Sequence, residues 1–146
     1  MSKSNVFEAA LLDLLFLNTA ITLVGDASGL PASGAAGSLF VSFHTADPGE
    51  PGDQTTSETA YTGYARVAVA RSAGGWTRTS NSISPTSNVD APECTASPGA
   101  ALTHFGIGTS SSGAGKLLYK GALSPNITTA VGVIPRLKTT STITED

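Results

Sequence analysis

Residues Ser38–His44 read SLFVSFH, and hydrophobic side chains recur at every second position of this stretch. One face of the stretch carries Leu39, Val41 and Phe43. Because a period of two residues is that of a β-strand, the pattern predicts a strand here. The strand is expected to end at Asp47-Pro48-Gly49, where proline favours a turn and glycine tolerates a positive φ.

The clearest strand pattern in the chain follows at Tyr64–Arg71, which reads YARVAVAR and alternates throughout. Gly74-Gly75 predicts a hairpin turn, and Trp76–Thr79 is expected to begin the returning strand. The same patterns predict further strands at Leu102–Ile107, Lys116–Leu123, Thr128–Ile134 and Leu137–Thr144. The section Asn81–Pro98 shows no pattern from which an element can be predicted.

A helix is predicted before these strands, from about Asn5 to Leu17. Asn5 and Glu8 have the spacing of a capping box, which is typical of a helix start. The residues expected to form one buried stripe are Phe7, Leu11, Leu14 and Leu15. Other apolar residues surround this stripe, so the helix needs cover on more than one side. It either packs on its own sheet or docks in part on a neighbouring subunit.

Seven or eight short strands separated by turn residues predict an all-β fold. We expect an antiparallel β-sandwich or jelly-roll-like domain with one short N-terminal helix. The chain has 146 residues, a length that suits a single domain. Residues 1–20 are therefore expected to form a helical arm, for docking or core packing, and residues 21–146 to form one β-sandwich domain.

The charge and apolar patterns argue against several classes of partner. Only 13% of the residues are charged, the net charge is −3, and no basic cluster occurs, so we predict no nucleic-acid partner. The apolar stretch Ala9–Leu17 is too short to cross a bilayer and is interrupted by Asp13, so no membrane partner is expected. A single cysteine, Cys94, excludes an intramolecular disulfide and a CxxC metal site.

The stretch Ser110–Leu117, SSSGAGKL, looks like a phosphate-binding loop but departs from that motif at two positions. Ser110 stands where the first glycine belongs, and Leu117 stands where the motif has a serine or threonine. A turn is therefore predicted. Four side chains are of types that can ligate a metal: His44, Asp47, Asp53 and His104. Their spacing in the sequence matches neither a zinc site nor a calcium site.

Covalent catalysis also lacks its sequence pattern. Cys94 could use His44 or His104 as a base, but it stands in a proline-flanked loop without a recognisable pattern. No GxSxG motif of a serine hydrolase occurs. We therefore predict no catalytic residue, no cofactor and no metal site, and a protein that is not an enzyme.

Aromatic residues flank the predicted hairpin at Tyr61, Tyr64 and Trp76. Tyrosine and tryptophan are favoured both in cores and at interfaces, so these three either pack the sheet or contact another subunit. Together with the apolar residues of the helix they give the candidate partner-contact set. Its members are Phe7, Leu11, Leu15, Tyr61, Tyr64 and Trp76.

Several stretches together resemble a family of small virion proteins of tailed bacteriophages. They are FHTADPG at Phe43–Gly49, YTGYARVAVAR at Tyr61–Arg71 followed by Trp76, THFGIG at Thr103–Gly108, and Lys116–Leu123. The resemblance covers most of the chain and implies a structural protein. Members look like head decoration proteins in some genomes and are labelled tail or tail-fibre components in others. The family has no catalytic residues to carry over.

From this resemblance we expect a capsid decoration (cement) protein on the capsid surface, present in the host cytoplasm during assembly. It would be a homo-oligomer, a dimer or trimer, that binds and stabilises the lattice of the major capsid protein. Its contacts are expected from Gly25–Gly37, Glu50–Thr59 and the N-terminal helix. One alternative is a tail, baseplate or tail-fibre component that binds tail proteins. Another is a carbohydrate-binding β-sandwich module in which Trp76 and Tyr61 stack on a sugar.

Overall fold

The computed structural model describes residues 2–146, which form one helix, α1 (Asn5–Leu17), and nine strands. The strands are β1 (Ser38–His44), β2 (Val67–Ala70), β3 (Trp76–Thr79), β4 (Ser82–Pro85), β5 (Val89–Asp90), β6 (Leu102–Gly108), β7 (Leu117–Ile127), β8 (Arg136–Leu137) and β9 (Ile143–Thr144). Strands and isolated β-bridges together hold 33% of the residues, in several antiparallel sheets, so the all-β class with one short helix is confirmed. The jelly-roll arrangement within that class stays a prediction.

The chain divides into two compact units, each made of segments that are distant in sequence. The first unit comprises Met1–Ser38, Val69–Asn88 and Lys138–Asp146. The second unit comprises Leu39–Ala68 and Val89–Leu137. The expected organisation into an arm at residues 1–20 and a domain at residues 21–146 stays a prediction.

Helix α1 of the first unit has the predicted bounds but a different N-terminal cap. Ser4, and not Asn5, is the N-cap: its side chain accepts a hydrogen bond from the Phe7 N–H. Asn18 ends the helix in the left-handed conformation, with φ 53°. The Thr19 N–H then donates to the Asp13 carbonyl at 3.0 Å, which ties the residue after the cap back to the helix.

The buried face of α1 lies one residue away from the predicted stripe. Glu8, Leu12 and Phe16 are buried, whereas Phe7 is exposed. The remaining stripe residues, Leu11, Leu14 and Leu15, are half-buried. The predicted stripe is therefore wrong. Apolar residues surround this helix, so packing selects the face, and Phe16 meets the Trp76 ring edge-on at 4.7 Å.

The hairpin of the first unit joins β3 to β4, and β9 adds to β4 in the order β3-β4-β9. Its two-residue turn is Ser80-Asn81, with Ser80 at φ 57°. The hairpin predicted at Gly74-Gly75 is wrong, because β2 belongs to another sheet. At that point the chain instead makes a tight turn in which the Gly75 and Trp76 N–H groups both donate to the Ser72 carbonyl.

Arg71 closes the C-terminal end of α1. Its guanidinium donates to the carbonyls of Leu14 and Leu15, both at 2.6 Å, and to the Ala36 carbonyl at 3.0 Å. Carbonyls in the last turn of a helix have no partner within the helix, and a cation there also opposes the negative end of the helix dipole. One arginine thus stabilises the helix end and fixes the segment that follows it.

The second unit holds most of a four-stranded sheet in the order β2-β1-β6-β7. Central β1 pairs antiparallel with β6, with Phe43 opposite Phe105, and β6 pairs with β7. The strand predicted at Ser38–His44 is confirmed with its bounds, and the strands predicted near β6 and β7 are confirmed with longer ones. The strand predicted at Tyr64–Arg71 is reduced to β2.

Two glycines of β6 give room to polar side chains packed on this sheet. An added Cβ at Gly106 would lie 2.7 Å from Ser42 Oγ and 2.8 Å from His44 Nε2. At Gly108 it would overlap the side chain of Gln54, which is fully buried. The two glycines of the THFGIG stretch are therefore required by packing, because no larger residue fits beside these side chains.

The last third of the chain departs furthest from the predictions. Residues 128–134, predicted as a strand, contain none, and the strand predicted at Leu137–Thr144 is replaced by β8 and β9. Residues 81–98, for which no element was predicted, contribute β4 and β5. Strands of two to four residues carry too few alternating positions for a pattern, so their pairing partners define them.

Candidate partner-contact surfaces

The predicted aromatic contact residues lie mainly inside the protein. Trp76 is 1% exposed and Tyr61 is 2% exposed. The Tyr61 hydroxyl donates to the Pro92 carbonyl at 2.7 Å, and burial raises the pKa of Tyr61 to about 12. Neither ring presents a face to solvent in this fold. A contact through Trp76 or Tyr61, with a protein or with a sugar, would require that side chain to leave the core.

Tyr64 is half-buried and belongs to a polar network in the second unit. Its hydroxyl donates to Glu58 Oε1 at 2.8 Å and accepts from the Phe43 N–H at 3.1 Å. Burial is the main cause that raises its pKa. Arg66 forms a bidentate pair with the same Glu58 carboxylate, with both N–O distances 2.7 Å. Since these polar groups hydrogen-bond to one another, the network stabilises the unit and leaves little hydrogen-bonding capacity for a ligand.

The phosphate-loop-like stretch is a turn, as predicted, and the same network holds it. Arg66 donates to the carbonyls of Ser110 at 2.9 Å and Gly113 at 2.8 Å. The Ser110 N–H donates to Gln54 Oε1 at 2.9 Å. A phosphate cradle needs free N–H groups that point at the ligand. Here an arginine binds the loop carbonyls, and one amide is already used inside the protein.

A buried serine–histidine pair, which sequence reasoning missed, lies on β1. Ser42 Oγ and His44 Nε2 are 2.8 Å apart, and His44 Nδ1 donates to the Thr56 carbonyl at 2.9 Å. Both side chains are fully buried, and burial is the main cause that lowers the pKa of His44. Such a pair could activate a hydroxyl nucleophile only if a substrate could reach it. Here it anchors the segment that follows β1.

The acidic residues considered for a metal site serve local structure. Asp53 Oδ1 accepts from the Thr55 N–H at 2.8 Å, and Asp47 Oδ1 accepts from the Gly49 N–H at 2.9 Å. Asp47 and the exposed Glu50 also pair with Lys120, at 3.0 Å and 3.5 Å. Among residues 2–146, no group of three or more histidine, cysteine, aspartate or glutamate side chains is placed to hold a metal ion.

Among the described residues of the first unit, the large apolar side chains that are exposed come from two places. At the start of α1, Val6 is 82% exposed and Phe7 is 40% exposed. The second place is residues 21–30, which we call the apolar loop, where Leu23 is 81% exposed. Val24 and Leu30 of this loop are also exposed. The sequence predicted partner contacts at Phe7 and in the Gly25–Gly37 segment, which overlaps the apolar loop. It did not predict contacts at Leu23 or Val24.

The apolar loop has a defined backbone. Ile21 and Leu30 exchange two backbone hydrogen bonds, of 3.0 Å and 2.8 Å, which close the loop at its base. Asp26 Oδ1 accepts from the N–H groups of Ser28 and Gly29, at 2.8 Å and 3.0 Å. Leu23 has a φ of 63°, a left-handed conformation that is uncommon for a leucine. The loop therefore holds a bulky apolar side chain in water on a fixed frame.

The second unit has one comparable surface in residues 128–135, which we call the apolar turn. Val131 is 65% exposed and Ile134 is 49% exposed. The Val133 N–H donates to the Ala130 carbonyl, with Gly132 at φ 87°, so that Val131 stands at a tight turn. Backbone hydrogen bonds to Cys94 fix the turn on the rest of its unit. The patterns of the sequence gave no indication of this surface, because they predicted a strand there.

Comparison with known proteins gives the family of the chain. No helix within residues 2–146 is long and apolar enough to cross a membrane. No curated protein matches the sequence. The family model of "Podophage GP4 fiber I protein gp80" matches residues 2–144, nearly the whole chain. This match confirms the resemblance to virion proteins of tailed phages. The chain therefore belongs to the podophage GP4 fiber I protein gp80 family and is a structural protein of the phage virion.

Proposed function

We propose that this chain is a component of a tail fibre and acts by binding neighbouring virion proteins, without catalysis. The observation that carries the proposal is the match of residues 2–144 to a family described as a fibre protein. Within the described residues, the hydrogen-bonded Ser42–His44 pair is fully buried, and the Glu58 and Arg66 side chains make their hydrogen bonds to groups inside the protein. The features left for function are exposed apolar side chains on well-defined turns.

The family description favours the tail-fibre alternative over the expected capsid decoration protein, because it names a fibre. A fibre component works through repeated contacts. Each contact can be modest, since linked contacts raise the effective concentration of the next one and make detachment rare. A chain with little charge and with side chains such as Leu23 and Val131 in water suits contacts that bury apolar surface.

The position on the particle tests this proposal. Purified virions are labelled with gold-tagged Fab fragments raised against the folded chain, and the copy number relative to the major capsid protein is measured by quantitative mass spectrometry. We expect label at the tail and a copy number far below that of the capsid protein. Label over the whole head with hundreds of copies would overturn the proposal and favour capsid decoration.

A further inference from the structure

We propose that the outer edge of β7 is a docking site for an extended segment of another protein, which adds to the sheet as a further strand and places a lysine or arginine beside Glu50. The inference rests on the proposed function, since it names the kind of segment through which a neighbouring virion protein binds. All of the residues that carry it belong to the second unit.

The position of β7 in its sheet is the first argument. It is the last strand in the order β2-β1-β6-β7 and pairs with β6 on one side. Within residues 2–146, no strand pairs with its other side. No residue of β7 is buried, whereas most residues of the neighbouring β6 are. Alternate residues of an edge strand direct their N–H and C=O groups away from the sheet, and such a row of backbone groups pairs with another strand.

The register of β7 locates the docking segment along the strand. Pairing with β6 is regular at residues 119–122, where Lys120 lies opposite Gly106. Register shifts lie on both sides of this part. Pro125, which has no N–H to donate, lies beyond it. Because a bulge bends a strand and interrupts its row of bonds, an added strand is expected along the regular part.

A cleft of about 270 Å³ opens beside the same part of β7. It is lined by residues 117–120 of the strand and by Gly49, Glu50 and Gly52 of the loop after β1. Lys120 reaches the Asp47 carboxylate, so this loop lies on the sheet face to which the Lys120 side chain points. Alternate side chains of an added strand point to that face. A cleft smaller than the roughly 300–1,000 Å³ of ligand pockets suits one of those side chains.

The charges at the cleft define that side chain. Lys120 Nζ lies 3.0 Å from the Asp47 carboxylate and 3.5 Å from the Glu50 carboxylate. Two carboxylates and one ammonium leave a net charge of −1. The Glu50 side chain is 95% exposed and forms the longer of the two pairs, so its carboxylate can accept from a second cation. A lysine or arginine on the added strand complements this charge, and an aspartate or glutamate there is repelled.

A second copy of the chain complements this site poorly. Two-fold pairing of β7 with itself would set the same negatively charged cluster against its copy. The lysine and arginine residues of the described strands are Arg78, Lys120 and Arg136, and each already pairs with a carboxylate of its own chain. A helix offers no row of N–H and C=O groups, because its internal bonds use them. The occupant that fits is an extended segment of a different protein.

The first test titrates the purified, ¹⁵N-labelled chain with the end-blocked peptide SVTVKVTVS, in which a lysine stands in an alternating strand pattern. Concentrations extend to about 1 mM, because a short segment binds weakly in isolation. We expect the amide signals of residues 117–123 and of Gly49, Glu50 and Gly52 to shift. The same peptide with glutamate in place of lysine should bind about tenfold more weakly or worse, since it brings like charges together.

Two N-methylated peptides show whether the backbone is bound. One carries N-methyl groups at its odd positions and the other at its even positions, so each lacks the N–H groups of one edge and keeps every side chain. An added strand uses one edge only. One of the two peptides should therefore lose binding, and the other should bind as tightly as the unmodified peptide. Binding through side chains alone would give two peptides of equal affinity.

A charge reversal in the protein tests the role of Glu50. Glu50→Lys should reverse the preference, so that the glutamate peptide binds more tightly than the lysine peptide. The matched control is Glu93→Lys, which makes the same change at an exposed residue of the second unit that does not line the cleft. It should keep the preference for lysine. Both side chains are exposed, so thermal unfolding of the two variants should match wild type.

Four results would overturn the inference: no shift of the β7 signals, equal affinity of the two N-methylated peptides, Glu93→Lys acting as Glu50→Lys does, or a chain that dimerises through β7 without any peptide. Peptide binding to the purified chain and Fab labelling of virions are independent measurements. A chain found at the tail that binds no peptide would refute only the docking edge. A chain found over the head that binds the lysine peptide would refute only the fibre assignment.

Discussion

Replacement of Gly108 by alanine tests how β6 packs. The added Cβ would overlap the side chain of Gln54, which is fully buried and cannot swing into solvent. Overpacking of this kind costs about 1–3 kcal/mol, and loss of the Gln54–Ser110 hydrogen bond, 2.9 Å long, adds about 1 kcal/mol. We expect a destabilisation of about 2–4 kcal/mol, which for a chain of this length lowers the unfolding temperature by roughly 6–12 °C.

The assay is urea and thermal unfolding followed by circular dichroism. Gly34→Ala is the matched control, because its added Cβ meets no atom within 4 Å and its φ is not in the left-handed region; it should change stability by less than about 0.5 kcal/mol. A double variant, Gly108→Ala with Gln54→Ala, removes the obstructing side chain. It should lose less stability than the sum of the two single variants. Strict additivity, or a Gly108→Ala chain as stable as wild type, would refute the packing argument.

Three further predictions concern buried and partly buried groups. Burial lowers the pKa of His44 below its ordinary 6.5, so the neutral imidazole stabilises the fold above pH 6.5. This stability is lost as the pH falls from 6.5 towards the lowered pKa, by at most about 1.4 kcal/mol per pH unit. Urea midpoints between about pH 7 and pH 5 should show the loss in wild type and not in His44→Gln. Trp76→Ala should cost about 3–5 kcal/mol in chemical denaturation, whereas a tryptophan that served only an external contact would cost little. Arg66→Met leaves the partly buried Glu58 carboxylate without its arginine and should cost about 3–5 kcal/mol in the same assay; Glu58→Gln with Arg66→Met should recover part of that loss.

The sequence alone determined the features that depend on local pattern. The strand at Ser38–His44 follows from an alternation that repeats over seven residues, so neighbouring positions reinforce the same signal. The bounds of α1 were also predicted from the sequence, although its buried face was not. The motifs from Phe43–Gly49 to Lys116–Leu123 also pointed to the virion family, which the match of residues 2–144 confirmed. The turn at Ser110–Gly115 followed from its small residues.

Only the tertiary structure decided which of several equivalent surfaces is buried. Helix α1 is apolar on nearly every side, and packing of Phe16 on Trp76 selected a face one residue away from the predicted one. Distant residues likewise decided that Trp76 and Tyr61 lie inside and that Leu23 and Val131 lie in water. Burial depends on contacts between segments far apart in the chain, whereas periodicity records only the nearest neighbours of a residue. The exposed apolar loop and apolar turn were therefore visible only in the folded chain.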